Sequence, residues 1–197
     1  PTLKNGSFLG PTSTETLDQD VRCNLLLTKT VALCDLGRLD EALKAVRVLQ
    51  DLAPTPDILL AQAYLNSTPG YFKYDLEEAG KTYDKFDAKT DYVPSVGHKA
   101  RMLFLSEQYV ACRDYLTTRA PRTDFCCLFW LGAAQWKLEQ FPEARATLTD
   151  ARRLNPYLAA WAKRIPGLDE FVAPIDEEIT AEKGGSSGRK LQYELAT

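Results

Sequence analysis

The sequence predicts an all-α protein, an array of antiparallel helix pairs closed by a C-terminal capping helix. Three observations carry that expectation. The small residues Ala42, Ala79, Cys112 and Ala144 recur at steps of 37, 33 and 32 residues, and a fixed period of that length marks a repeated supersecondary unit. Pro54, Pro121 and Pro156 close three of the segments so defined, because proline cannot continue a helix. Within the segments, apolar residues fall at helical spacing, as in Leu43, Val46, Leu49 and Leu52.

Taken in chain order, residues 1–16 are polar and rich in turn formers, and read as a flexible N-terminal tail. The first repeat spans about 23–54, with Gly37 in the turn and Asp40 as the expected N-cap of a helix over Glu41–Leu52. The second, 56–91, holds Ala79, Tyr83 and Phe86 at helix spacing, after a stretch Asn66–Phe72 (NSTPGYF) that reads as an inserted loop. The third, 94–121, pairs Ala100 with Cys112 and ends in a short helix before Pro121. The fourth, 125–158, is the most regular. Gly132 and Ala144 permit close approach of its two helices, and Pro156 stops the second. Tyr157–Arg164 reads as the capping helix (157–165), anchored by Leu158 and Trp161 and stopped by Pro166. Residues 166–197 read as an acidic and then Gly/Ser-rich tail. Acids at 169, 170, 176, 177, 178 and 182 surround Phe171, Val172 and Ile175, and a flexible linker follows at Gly184–Gly188.

Residues 125–158, with Leu131-Gly132, Ala144, Ala151 and Pro156, resemble the tetratricopeptide repeat, a helix-turn-helix unit of 34 residues. Residues 23–54 resemble it too, with Thr30 where the family has glycine in its first helix. The two middle repeats are degenerate, and Tyr64 to Ala79 is fifteen residues where the family has nine. The resemblance covers about residues 17–165. It implies a non-enzymatic protein-interaction scaffold: a structural or accessory subunit of a larger assembly that binds partner segments in a concave groove lined by the first helix of each pair. By that register the groove residues are Leu27, Val31 and Cys34 in the first repeat, Arg101 and Phe104 in the third, and Phe129, Ala133, Trp136 and Lys137 in the fourth. Co-chaperone members hold a terminal carboxylate with Lys and Asn at positions that here are Leu27 and Val31, so no heat-shock chaperone clamp is expected. An apolar groove with Phe129 and Trp136 suits an amphipathic helix or an extended apolar segment. The alternative occupant is the chain's own Phe171, Val172 and Ile175.

Composition narrows the function classes. The 197 residues carry 27 acidic and 24 basic side chains, a single His, a formal charge of -3 and 45% hydrophobic residues. That balance disfavours phosphate-driven binding, so an RNA-binding helical repeat is the second reading and no nucleic acid is the expectation. No stretch approaches the ~20 apolar residues of a membrane-spanning helix. Five cysteines, an odd number with no Cys-x-x-Cys, read as small core residues of an intracellular, reducing compartment, cytoplasm or an organelle interior such as the mitochondrion. An initiator trimmed away or a targeting segment removed would each give a start at Pro1. No metal or cofactor is expected, since His98 is not spaced to complete a ligand set and Gly184–Gly188 follows no strand. A helical enzyme using His98 or a cysteine is the third reading. Against it, a lone His facing solvent or bonded to a carbonyl explains His98, and solvated charge explains the pairs Glu77-Glu78 and Glu177-Glu178.

Overall fold

A computed structural model describes the backbone of residues 12–52, 56–87, 93–119 and 123–194, and the side chains of 21–52, 58–86, 95–119 and 123–181. Pro54 and Pro121 lie outside the described residues. All the described elements are helices: α1 (Thr12–Asp35), α2 (Leu39–Leu52), α3 (Pro56–Asn66), α4 (Leu76–Asp87), α5 (Val93–Leu105), α6 (Tyr109–Arg119), α7 (Phe125–Lys137), α8 (Phe141–Leu154), α9 (Leu158–Ala162) and α10 (Leu168–Glu194). They fall into two compact units, Pro1–Lys89 and Thr90–Thr197.

In the first unit α1 packs on α2 and α3, and α3 packs on α4. Ala42 and Ala79, the recurring small residues, are both fully buried. Thr30, standing where the tetratricopeptide pattern has glycine, is also fully buried, and its hydroxyl donates to the Leu26 carbonyl at 2.8 Å. That bond removes the desolvation cost of a hydroxyl in the helix interface. α2 begins at Leu39, so Asp40 lies inside its first turn rather than at the N-cap. Its charge there complements the positive end of the helix dipole. The bend into α2 is closed by Arg38, which grips Glu41 through two hydrogen bonds of 2.7 Å.

In the second unit α5, α6 and α7 pack together, α7 pairs with α8, and α10 lies on α8 and α9. Asp124 caps α7 by accepting from the Cys127 amide at 2.7 Å. Cys112, Ala144 and Gly132 sit in the helix interfaces. A Cβ built on Gly132 would stand 2.6 Å from Leu148 Cγ, the branch carbon of a fully buried side chain. The α7–α8 approach therefore requires glycine.

Three of the turns inside helix pairs share one geometry. Gly37, Glu107 and Glu139 adopt positive φ of 70°, 61° and 58°. In each, the next residue's amide bonds a carbonyl five residues back at 2.9 Å: Arg38 to Leu33, Gln108 to Leu103 and Gln140 to Gln135. This is the left-handed helix stop that glycine adopts without strain; two glutamates adopt it here. Each of the three residues stands five positions before the small residue of its second helix, a repeat visible only in the backbone.

The largest departure from the sequence expectation is the C-terminal segment. The flexible tail expected from residue 166 is instead helix α10, and helix α1 already begins at Thr12 within the expected N-terminal tail. The physical reason is a periodicity masked by the acidic composition and by Pro174. Leu168, Val172, Ile175 and Ile179 follow a 4-3-4 spacing and are all buried. Arg152, itself buried on α8, donates to Asp176, and Arg145 reaches Glu178 at 2.6 Å. The backbone stays helical through Gly184–Gly188, where a linker was expected. The capping helix expected over 157–165 corresponds to the short α9, and α10 packs on it and on α8. We expect Gly132→Ala to destabilise the protein by on the order of 1–2 kcal/mol despite alanine's higher helix propensity, because overpacking dominates at such a contact; thermal unfolding should show a lower midpoint.

Candidate functional site

Of the nine residues expected to line a groove, most belong to the core. Leu27, Cys34, Arg101, Phe104, Phe129 and Ala133 are buried, Val31 and Trp136 are half-buried, and Lys137 alone is exposed. Leu27, Val31 and Cys34 belong to the first unit and the other six to the second, and each set is described within its own unit.

In the second unit the aromatics form a continuous cluster. The Phe129 ring, fully buried, lies 5.0 Å from Trp130, 5.4 Å from Trp161 and 6.0 Å from Phe125. Phe104 continues the cluster from α5, at 5.2 Å from both Trp130 and Tyr109. Edge-to-face and tilted pairs of this kind add to what area burial alone supplies. Phe129 is therefore a structural keystone rather than a surface waiting for a partner. Trp136 is different: the Lys137 ammonium lies 4.8 Å from its ring centre, and a Cβ on Gly167 would touch the indole at 3.4 Å. The chain's own turn before α10 covers part of the indole. Of the alternative occupant, Phe171, Val172 and Ile175, the last two are buried in the core cluster that also holds Phe129 and Ala133, and Phe171 packs half-buried against it, while α10 lies on α8 and α9.

Burial shifts the titration of His98 and of two of the cysteines. His98 is half-buried on α5, and burial together with the nearby Arg101 cation pushes its pKa down to about 3. Of the two placements expected for it, facing solvent or bonded to a carbonyl, the half-buried position disfavours the first, and it is not a base poised near neutrality. The Cys112 thiol, whose pKa burial pushes up to about 12, bonds the Ala100 carbonyl at 3.3 Å. Cys127 is likewise pushed up, by burial first and then by Asp124. All five cysteines are free thiols and only Cys126 is partly accessible, which matches the core role expected of them. Glu77, Glu78, Glu177 and Glu178 are all exposed, as solvated charges should be. Among the described residues no group of His, Cys, Asp or Glu is placed to hold a metal ion, and no helix is long and apolar enough to cross a membrane.

The surface of the first unit carries two features absent from the expected site. Val21, Leu25 and Ala32 on α1 and Leu36 just after it recur on one side at spacings of four, seven and four residues, and Leu25 and Leu36 are each 65% exposed. Between α2, α3 and the loop of residues 67–75 lies a cleft of about 290 Å³, lined by Leu43, Val46, Arg47, Leu65, Tyr71, Phe72 and Lys73 among others. The segment NSTPGYF marked the loop in the sequence as an insertion. Nothing in its composition announced that Phe72 would stand 72% exposed at its tip.

No family model matches the sequence, and none of the curated proteins does. Among solved structures the chain is similar to MamA from Desulfovibrio magneticus RS-1 (residues 41 to the end), at 18% identity and a TM-score of 0.49, over 89% of this chain and 98% of that one. It is also similar to MamA MSR-1, at 17% identity and 0.46, over 84% and 99%, and to MamA AMB-1, at 18% and 0.46, over 84% and 94%. The functional reading rests on the geometry alone.

Two outcomes follow from the burial of Phe129 and His98. Phe129→Ala should cost about 3–5 kcal/mol of stability, read as a lower urea midpoint, so any binding lost in that variant reports unfolding. His98 titrates lower in the fold than in the unfolded chain, so its stabilising contribution is complete above about pH 6.5 and falls as pH drops towards about 3. Between about pH 7 and about pH 5 this amounts to about 2 kcal/mol, and His98→Gln should flatten that part of the stability profile in urea titrations.

Proposed function

We propose that the chain is a non-catalytic protein-interaction scaffold, a structural or accessory subunit of a larger assembly. The observation that carries this reading is the apolar face of α1. Val21, Leu25 and Ala32 on α1, with Leu36 in the turn just after it, are exposed on a helix that packs on α2 and α3, and Val21, Leu25 and Leu36 present large aliphatic side chains to water. Large aliphatic side chains held exposed along one side of a packed helix suit a surface that meets another protein. The chemistry of the buried groups supports the same reading from the other side, since a thiol with its pKa near 12 is protonated at neutral pH and a histidine with its pKa near 3 is a poor base.

The expected groove enters this proposal in reduced form. Val31 in the first unit and, separately, Trp136 with Lys137 in the second are the positions of that set left open to a partner; the other six residues are buried. A short amphipathic helix or an extended apolar segment remains the partner chemistry that suits such positions.

The test is co-purification of partners at fixed stoichiometry with the wild-type chain and with Leu25→Glu/Leu36→Glu. Both positions are exposed, so the variant should keep its thermal midpoint while losing partner at ordinary concentrations, a loss of about 2–4 kcal/mol in binding. Full retention of every partner by the folded variant overturns the α1 reading.

A further inference from the structure

The 67–75 loop replaces the tight turn found inside three of the other helix pairs, and it is built as a rigid platform. Its ends are tied together by the Asp75 amide, which donates to the Asn66 carbonyl at 2.9 Å. Ser67 and Thr68 are buried, and their hydroxyls both donate to the Tyr64 carbonyl, at 3.0 and 2.7 Å. Tyr64 is in turn fixed by its own hydroxyl, which donates to Asp35 at 2.7 Å. Gly70 takes a φ of 86° at the bend, and Asp75 caps α4 by accepting from the Glu78 amide at 2.9 Å. Tyr71 is buried, so the loop is anchored by one aromatic ring and offers the next, Phe72, to solvent. The two rings lie 4.7 Å apart. Compact loops with tied ends, packed by their own side chains, are frequent carriers of function.

The cleft beside this platform has a single sign of charge. Arg47 from α2 and Lys73 from the loop line it, and no Asp or Glu does. Both cations are exposed, and among the described residues neither is held in an ion pair. Leu43, Val46 and Leu65 form the apolar wall, and Gln50, Gln62 and Asn66 supply amide groups. A cleft of about 290 Å³ takes one or two side chains rather than a folded domain, near the lower end of the range for small-ligand pockets.

We propose that this cleft docks a short acidic segment of a partner protein, in which an apolar or aromatic residue enters between Phe72 and the α2 wall while flanking Asp or Glu side chains meet Arg47 and Lys73. The proposal rests on the scaffold reading and names a second surface for it. A protein segment suits the site better than a nucleic acid, because two cations neutralise too few phosphates for useful affinity in a chain of net negative charge. The acidic stretch of a second copy does not fit, because the apolar residues interleaved with its acids, Val172, Ile175 and Ile179, are already buried on α10, which packs on α8 and α9.

The experiment is fluorescence anisotropy with the full chain and four labelled probes. These are a ten-residue peptide of Asp and Glu around a central Leu-Phe, the same peptide with Ala-Ala at its centre, its Lys-for-acid counterpart, and a single-stranded RNA of matching length. Saturable binding of the first peptide is expected, weakened by added salt and by about tenfold or more in Arg47→Glu/Lys73→Glu and in Phe72→Ala. Replacing the central pair with Ala-Ala should weaken it similarly. Circular dichroism should be unchanged, because all three substituted residues are exposed. Equal binding of the Lys peptide, stronger binding of the RNA, or indifference to the charge reversal overturns the proposal, as does absence of binding. Co-purification separates the two readings. Partners retained by Arg47→Glu/Lys73→Glu but lost by Leu25→Glu/Leu36→Glu sink the cleft and leave the scaffold standing, whereas partners retained by both variants sink the α1 reading as well.

Discussion

Where α7 meets α8, a single methyl group at position 132 would collide with the branch carbon of Leu148. Removing that atom lets two helices approach closely enough for Leu148, Ala144 and Ala151 to be fully buried between them. The same constraint appears wherever a pair closes: Ala42, Ala79 and Cys112 are each fully buried at the corresponding point. Small side chains at the crossing bring the ridges of one helix into the grooves of the next. The larger side chains are then sorted by default, inward where the neighbouring helix lies and outward where none does. The aromatic cluster around Phe129 and the apolar face of α1 are the two outcomes of that one rule.

The turns obey a second constraint. A helix pair with a short connection must reverse within a few residues, and a left-handed residue at the stop achieves it. Gly37 does so without strain, while Glu107 and Glu139 accept a conformation that disfavours a side chain. The α3–α4 connection is released from this requirement by its extra residues, which form hydrogen bonds of their own. Chain that need not serve as the tightest reversal is free to carry a surface, and there the loop places an exposed aromatic beside two cations.

Much of this architecture was legible beforehand. The period of the small residues located all four second helices of the repeats, and helical spacing placed Leu49 and Val46 in the core. The segment after residue 166 was misread because its acids and Pro174 hid the 4-3-4 spacing of Leu168, Val172, Ile175 and Ile179; composition spoke louder than register. The exposure of the groove residues was not legible, for a different reason. A repeat register tells which helix face a residue occupies, but burial at that face depends on what the rest of the chain lays over it. Phe129 lies on the expected helix, yet Trp161 and Phe125 cover it. The cleft residues Arg47, Lys73 and Phe72 are separated by more than twenty positions in part, and no periodicity links them. Only the folded loop brings them together.

Cys112 and Cys127 give the fold one more property. A thiol acts as a nucleophile only as the thiolate, and burial keeps both of these protonated far above neutral pH. Cys112 sits where the helices cross, and its sulfur contacts the Ala100 carbonyl across the α5–α6 interface. An alkylating reagent must therefore wait for the helices to part. The rate of its capture at these sites is a clock for local opening in the second unit, needing no engineered label and silent while the pair stays shut.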